Sequence, residues 1–249
     1  MLPASLGLPE PPWIVAHRGA SAEAPENTLA SVLMAVEQGA HMVEIDVQLS
    51  ADDELLLIHD WALEIEGRSR IVEETAAHEL RALVGVGDGG IGAERAPAAA
   101  LPTLAELLAA VPEELPLNLE LKHRRAGVER WCEHLPEALG ERRRLLISSF
   151  DQELLEALRR EHPGLPLAPI GSRQPHDLLR AAEALDAASI HCHCRLAFAD
   201  FITAAQTGGW PVLVYTINDP GLARSLFERG VAGVFTDAPG ELLSALDLE

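Results

Sequence analysis

The chain alternates between short apolar runs and longer segments in which apolar residues recur every three or four positions. A short apolar run predicts a buried strand, and the longer spacing predicts an amphipathic helix. The alternation continues from end to end and gives about eight strand–helix units. The predicted strands cover residues 13–16, 42–49, 115–121, 145–147, 165–170, 188–193, 211–217 and 234–236, with a further short extended run over 55–58.

Repeated strand–helix units in a chain of 249 residues are typical of a (β/α)₈ barrel, the TIM-barrel fold. We therefore predict one α/β domain over residues 1–249. A doubly wound open sheet is the alternative, but no Gly-x-Gly-x-x-Gly motif follows the first predicted strand. Residues 61–100 are too long for an ordinary βα loop and contain a glycine-rich run over 85–92. We predict that they form a rim insertion after the second strand.

The composition narrows the classes of partner. A formal net charge of −20 argues against a general nucleic-acid-binding face and against binding to anionic membranes. No apolar stretch is long enough to span a membrane, and the amino terminus lacks the pattern of a signal peptide. The three cysteines lack the spacing of a disulfide framework. We therefore expect a cytoplasmic protein with a small-molecule partner.

Four polar clusters lie at or just beyond the carboxyl ends of the early predicted strands, where a barrel carries its chemistry. Glu44 and Asp46 are two residues apart, so they face the same side of their strand, and the same holds for Glu120 and Lys122. The clusters are His17-Arg18, Glu44 with Asp46, His59-Asp60, and Glu120 with Lys122.

These residue types fit the cleavage of a phosphodiester. Three carboxylates without a cysteine ligand suit a hard cation, Mg²⁺ or Ca²⁺, rather than zinc. Histidine is the residue type whose ordinary pKa lies near neutral pH, so the two histidines suit acid–base catalysis, and Arg18 and the chain's only lysine, Lys122, supply fixed positive charge. With a divalent cation the groups sum to one positive charge, which a phosphodiester monoanion neutralises. Each residue alone is more often a solvated or capping group, so the hypothesis depends on the clusters meeting in space.

The segment His191-Cys192-His193-Cys194 has the residue types of a zinc site. On a strand, however, the two histidines face one side and the two cysteines face the other, so the four cannot converge on one ion. We expect the histidines to point into the barrel and the thiols to pack beneath the helices.

The sequence resembles the glycerophosphodiester phosphodiesterase family, and most of all its cytoplasmic bacterial form. The resemblance rests on the segments IVAHRGASAEAPENTLAS, MVEIDVQLSADDELLLIHD, LPTLAELL, LPLNLELK, LLISSFD, ASIHCHCRL, PVLVYTIND and GVAGVFTDAP, which span almost the whole chain in order. It implies a (β/α)₈ barrel that hydrolyses glycerophosphodiesters to sn-glycerol 3-phosphate and an alcohol in glycerophospholipid breakdown.

The resemblance also implies a role for each matching residue. His17 and His59 would form the acid–base pair, and Arg18 and Lys122 would contact the phosphate. Phe150 and Tyr215 would line the substrate pocket. A divalent cation, Mg²⁺ or Ca²⁺, would be bound by Glu44, Asp46 and Glu120.

The chain departs from the family pattern after His59-Asp60, where the family usually continues Leu-(Asp/Glu)-Arg-Thr and this chain has Leu63-Glu64-Ile65-Glu66. Two other functions use the same barrel. One is hydrolysis of lysophospholipids or cyclic phosphates. The other is a binding or regulatory barrel without activity, which would lack a catalytic group, whereas all seven candidate polar residues are present.

Overall fold

The computed structural model of the chain describes residues 6–65, 68–84, 101–122 and 127–248. The strands are β1 (Trp13–His17), β2 (Met42–Leu49), β3 (Leu55–Leu57), β4 (Ala62–Ile65), β5 (Arg68–Ile71), β6 (Leu117–Leu121), β7 (Leu145–Ser149), β8 (Leu167–Gly171), β9 (Ile190–His193), β10 (Val212–Tyr215) and β11 (Gly233–Thr236). The helices are α1 (Leu29–Glu37), α2 (Ala77–Val84), α3 (Leu104–Ala110), α4 (Val128–Leu139), α5 (Gln152–Glu161), α6 (Pro175–Ala184), α7 (Ala199–Thr207), α8 (Pro220–Glu228) and α9 (Pro239–Leu246).

Eight of these strands close into a parallel barrel. The strands β1, β2 and β6 to β11 follow one another around the sheet, and β11 pairs with β1 through Trp13↔Gly233 and the next three residue pairs. The helices lie between the strands along the chain. The predicted TIM barrel is therefore confirmed, and the open sheet is wrong because no strand of the eight is left as an edge.

The barrel has two apolar layers, which follow from the two-residue period of its strands. On β2, Val43, Ile45 and Val47 pack into the main core between strands and helices. Residues of the opposite parity face the lumen, where Met42 joins a smaller cluster. That cluster consists of Leu6, Trp13, Val15, Met42, Leu146, Ala168, Ala188, Leu213 and Phe235. Glu44 and Asp46 share the parity of Met42, so the strand directs both carboxylates toward the lumen above this cluster.

The chain between β2 and β6 adds a small subassembly to the barrel. The pairing of β1 with β2 ends at Glu44, and further along β2 the strand β3 takes that edge in antiparallel register, from Val47↔Leu57 to Leu49↔Leu55. The hairpin β4–β5, a short 3₁₀ turn and α2 follow. They enclose their own core of Leu56, Ile58, Leu63, Val72, Ala77, Leu80 and Leu101. The sequence predicted the extended run that forms β3 and an insertion over residues 61–100, but not the hairpin β4–β5 or α2. Residues 66–67 and 85–100 of the predicted insertion lie outside the described residues.

On β9, His191 and Cys192 face opposite sides, as the two-residue period predicts, but the strand ends at His193 and Cys194 lies in the 3₁₀ turn that follows, with its Sγ 3.5 Å from His193 Nδ1. The His191 ring lies in the lumen, 4.9 Å from the ring of Phe235, and Cys192 packs beneath the helices. Burial lowers the pKa of His191 to about 3 and raises the pKa of the Cys192 thiol to about 12. Within the described ranges, neither residue belongs to a group of three or more potential metal ligands. No helix in those ranges is both long and apolar enough to cross a membrane.

Candidate active site

A tight turn after β1 positions the first pair of site residues. Arg18 and Gly19 both have left-handed backbones, with φ of 57° and 80°. A side chain at Gly19 would place its Cβ 2.4 Å from Ser31 Oγ, so glycine is required there. The turn aims the backbone N–H of Arg18 at Glu44 Oε2, 2.8 Å away. This bond fixes one oxygen of the Glu44 carboxylate.

Three acidic side chains meet at the carboxyl end of the barrel. Glu44 and Asp46 come from β2 and Glu120 comes from β6, whose register sets Glu120 beside Asp46. One oxygen from each carboxylate lies within 4.8 Å of the others. Glu44 Oε1 is buried and has no hydrogen-bond partner among the described residues. A buried carboxylate oxygen without a partner is costly, so this cluster fits a divalent cation that takes oxygen ligands.

The two positively charged side chains predicted for the site, Arg18 and Lys122, form ion pairs with these carboxylates. Lys122 Nζ lies 3.1 Å from Asp46 Oδ1 and also forms an ion pair with Glu120. Arg18 Nε lies 3.0 Å from Asp46 Oδ2, and its Nη1 donates to Glu26 Oε1 at 2.9 Å. Positive charge is therefore held directly against the acidic cluster.

Burial and the neighbouring carboxylates disfavour the ionised forms of Glu44 and Glu120. Burial and the neighbouring Asp46 raise the pKa of Glu44 to about 8. Burial also raises the pKa of Glu120 above its usual value. Burial opposes ionisation of Asp46 as well, but Lys122 and Arg18 outweigh it and hold its pKa below the usual value. A divalent cation would stabilise the ionised forms of all three carboxylates.

His17 is held by an acidic partner that the sequence prediction did not include. Its Nδ1 lies 2.7 Å from Asp237 Oδ1. Asp237 also accepts hydrogen bonds from Ser21 Oγ at 3.2 Å and Asn218 Nδ2 at 2.7 Å. Because a carboxylate only accepts, Nδ1 of His17 carries the proton in this pair, and Nε2 is the atom left for chemistry.

The same contacts shift both pKa values. Burial by itself lowers the pKa of His17, but the hydrogen bond to Asp237 and the charge of Glu44 raise it above the usual value. For Asp237, burial opposes ionisation, while the bonds from His17 and Asn218 lower the pKa to about 2. The pair is thus an anionic carboxylate that favours a protonated imidazole.

The second histidine lies at a cleft beside the acidic cluster. His59 follows β3, and its Nδ1 is 3.0 Å from Asp60 Oδ1. The cleft has a volume of about 220 Å³. Its lining residues are His59, Trp61, Glu120, Leu121, Lys122, Ser149, Phe150 and Asp151.

The two predicted pocket aromatics contact each other. The rings of Phe150 and Tyr215 meet edge to face at 6.1 Å, and the Tyr215 hydroxyl donates to the Gly171 carbonyl at 3.1 Å. Phe150 lines the cleft, and Tyr215 supports it from the end of β10. The residues predicted for the site all lie at the carboxyl end of the barrel. Ion pairs join Arg18 and Lys122 to Asp46, and the cleft brings His59 and Phe150 beside Lys122.

Sequence reasoning missed a supporting group of residues. Asn27 donates to Asp46 Oδ2 at 3.0 Å and accepts from the Asp46 backbone N–H at 3.0 Å, so it fixes that carboxylate. Asp237 and Asn218 follow predicted strands immediately, so the rule that found His17 and Glu44 also applies to them. Asn27 lies in the PENT segment, but nothing in the sequence pairs it with Asp46.

The fold and the site together define an enzyme of the TIM-barrel type, with histidines, carboxylates and cations gathered at the carboxyl ends of its strands. The family model for the glycerophosphoryl diester phosphodiesterase family matches residues 17–241. The chain belongs to this family. Its predicted family and its predicted class, a phosphoric diester hydrolase, are confirmed.

Known relatives and solved structures cover nearly the whole chain. The uncharacterised protein YqiK of Bacillus subtilis is 30% identical over 241 residues, covering 94% of this chain and 97% of its own. A glycerophosphodiester phosphodiesterase of Caldanaerobacter subterraneus is 28% identical over 244 residues, covering 93% and 96%. An Oleispira antarctica phosphodiesterase, solved with the product sn-glycerol-3-phosphate, is 32% identical with a TM-score of 0.84, covering 98% and 99%.

Proposed function

We propose that the enzyme hydrolyses glycerophosphodiesters to sn-glycerol 3-phosphate and an alcohol, with a divalent cation bound by Glu44, Asp46 and Glu120. The proposal rests on three buried or half-buried carboxylates whose oxygens lie within 4.8 Å of one another. The positively charged side chains of Arg18 and Lys122 pair directly with this cluster. The product bound to the Oleispira antarctica relative supports the choice of substrate.

The ligand set favours Mg²⁺ or Ca²⁺, since all three donors are carboxylate oxygens. A bound divalent cation supplies Lewis acidity, which stabilises negative charge that develops on the phosphate oxygens. Around it, Arg18 and Lys122 bring fixed positive charge to the place where a phosphate would be bound. Phe150 and Tyr215 provide an apolar wall for the substituents of that phosphate.

The two histidines divide the proton transfers between them. One accepts a proton from the attacking oxygen, and the other donates a proton to the oxygen of the leaving alcohol. His17 Nδ1 is bonded to Asp237, so its Nε2 is the nitrogen that would exchange a proton with the substrate. His59 Nδ1 is bonded to Asp60 in the same way, which leaves Nε2 of His59 for the other proton transfer. Both attack by water and attack by the glycerol 2-hydroxyl through a cyclic phosphate use this same pair of proton carriers.

Release of sn-glycerol 3-phosphate from glycerophosphocholine tests the proposal. We expect His17→Ala and His59→Ala each to lower kcat by about 10²–10⁴-fold, because each removes a proton carrier. His176→Ala is the matched control, since that histidine is exposed on α6 and should leave the rate unchanged. Equal rates in the wild type and in both site variants would contradict the assignment.

A further inference from the structure

We propose that the cleft beside Lys122 selects substrates whose alcohol carries a positive charge, such as a quaternary or primary ammonium group. The inference rests on the proposed function and adds to it the chemical class of the leaving alcohol. Three features of the described residues support it: the continuity of the cleft with the phosphate site, its two aromatic walls and its charge.

The cleft is continuous with the place where the phosphate would be bound. Its lining includes three residues of the candidate active site, His59, Glu120 and Lys122. Lys122 Nζ lies 5.9 Å from the centroid of the Phe150 ring. A substituent of a phosphate held at Lys122 therefore reaches this ring through a short linker, such as the two carbons of choline or ethanolamine.

The walls of the cleft are aromatic and open to solvent. Trp61 is 37% exposed and Phe150 is 54% exposed, and both line the cleft. The insertion holds Trp61 in place, because its carbonyl accepts a hydrogen bond from the Val72 N–H at 3.0 Å. Aromatic faces attract alkylammonium groups through their electron-rich rings, and tryptophan does so most strongly.

The charge of the cleft favours a cation in the same place. Asp151 lines it, and Asp60 lies at its edge beside His59. Glu120 also lines the cleft, but its charge is balanced by the ion pair with Lys122. The whole chain carries a formal net charge of −20. A diester of a cationic alcohol would place its ammonium group beside these carboxylates, whereas a diester of a neutral alcohol gains no such attraction.

The test compares two substrates of the same shape. One is glycerophosphocholine, and the other is its neutral isostere, in which a tert-butyl group replaces the trimethylammonium group. We expect the wild type to show a kcat/KM about tenfold higher for the choline diester, because only that substrate gains the cation–aromatic attraction. We expect Trp61→Leu and Phe150→Leu each to lower this ratio by about threefold or more, because leucine keeps the apolar surface and removes the ring.

Two further variants separate charge and position from packing. Asp151→Asn keeps the helix cap, since Asp151 Oδ1 accepts from the Leu154 N–H at 2.9 Å and asparagine caps equally well. It should also lower the ratio. Phe198→Leu is the matched control, because Phe198 is 44% exposed but does not line the cleft, and it should leave the ratio unchanged.

A wild-type ratio near one, with both substrates hydrolysed, would overturn the inference and leave the proposed function standing. A ratio that survives both Trp61→Leu and Phe150→Leu would overturn it in the same way. Hydrolysis of neither diester would contradict the proposed function itself.

Discussion

The Asp237 carboxylate joins the last strand of the barrel to the first through the imidazole of His17. It is itself oriented by Ser21 and Asn218, so its oxygens are held in a defined direction. Asp237 does not need to touch the substrate to matter. It positions His17 by fixing which ring nitrogen carries the proton.

Replacement of Asp237 by asparagine tests this positioning role. The amide can donate to Nδ1, which favours the wrong tautomer, so we expect kcat to fall about 100-fold or more. Loss of the negative charge also removes an interaction that raises the pKa of His17. The limb of the kcat/KM–pH profile that reports His17 should therefore move to lower pH. Asp219→Asn, which keeps the cap of α8, is the control, and superimposable profiles for Asp237→Asn and wild type would contradict the assignment.

The three carboxylates could be predicted from sequence because their geometry follows from local rules. The two-residue period puts Glu44 and Asp46 on one face, and parallel neighbours meet at one end of the sheet. Asp237 is different, because its contact with His17 spans 220 residues and forms only when the barrel closes. No local pattern encodes that pairing.

At the scale of elements, the segment between β2 and β6 sets the position of His59 and Trp61. The antiparallel strand β3 carries the chain back along β2, and the hairpin β4–β5 packs on a core separate from the main one. We propose that the chain is one domain in which residues 61–100 form a rim insertion. The hairpin was not predicted from the sequence because β5 contains Arg68 and Arg70 and too few apolar residues to give the pattern of a buried strand.

Substitution of Leu80 by alanine tests the independence of the insertion. Leu80 is fully buried on α2 in the small cluster, and a buried Leu→Ala change costs about 2–4 kcal/mol. We expect hydrogen exchange to accelerate over residues 55–65 and 68–84, while the barrel strands keep their protection. Leu33→Ala, on the exposed side of α1, is the control. Equal acceleration in β6 and β7 would show that the insertion and the barrel open as one unit.

At the scale of the whole molecule, the barrel lumen is charged at the carboxyl ends of the strands and apolar on the side of the lumen away from those ends. The apolar cluster fills the barrel beneath the site, and His191 lies among its members with its ring against Phe235. Ser189 Oγ lies 3.1 Å from its Nε2. The folded state therefore holds His191 neutral, whereas the unfolded chain protonates it at its usual pKa of 6.5.

The pH dependence of stability follows from this difference. Between pH 6.5 and about 3 the unfolded state binds more protons, so the free energy of unfolding falls as the pH falls through this window. We expect His191 to cost about 2 kcal/mol of stability at pH 5 relative to neutral pH. Urea unfolding at both pH values should show a smaller loss in His191→Leu, and equal losses in the two proteins would contradict the assignment.

The central claim is that the acidic cluster works by holding a divalent cation. The most direct test measures the release of sn-glycerol 3-phosphate from glycerophosphocholine before chelation, after chelation, and after Mg²⁺ or Ca²⁺ is added back. We expect chelation to abolish release and one of the two ions to restore it. Full release from the chelated enzyme would contradict the claim.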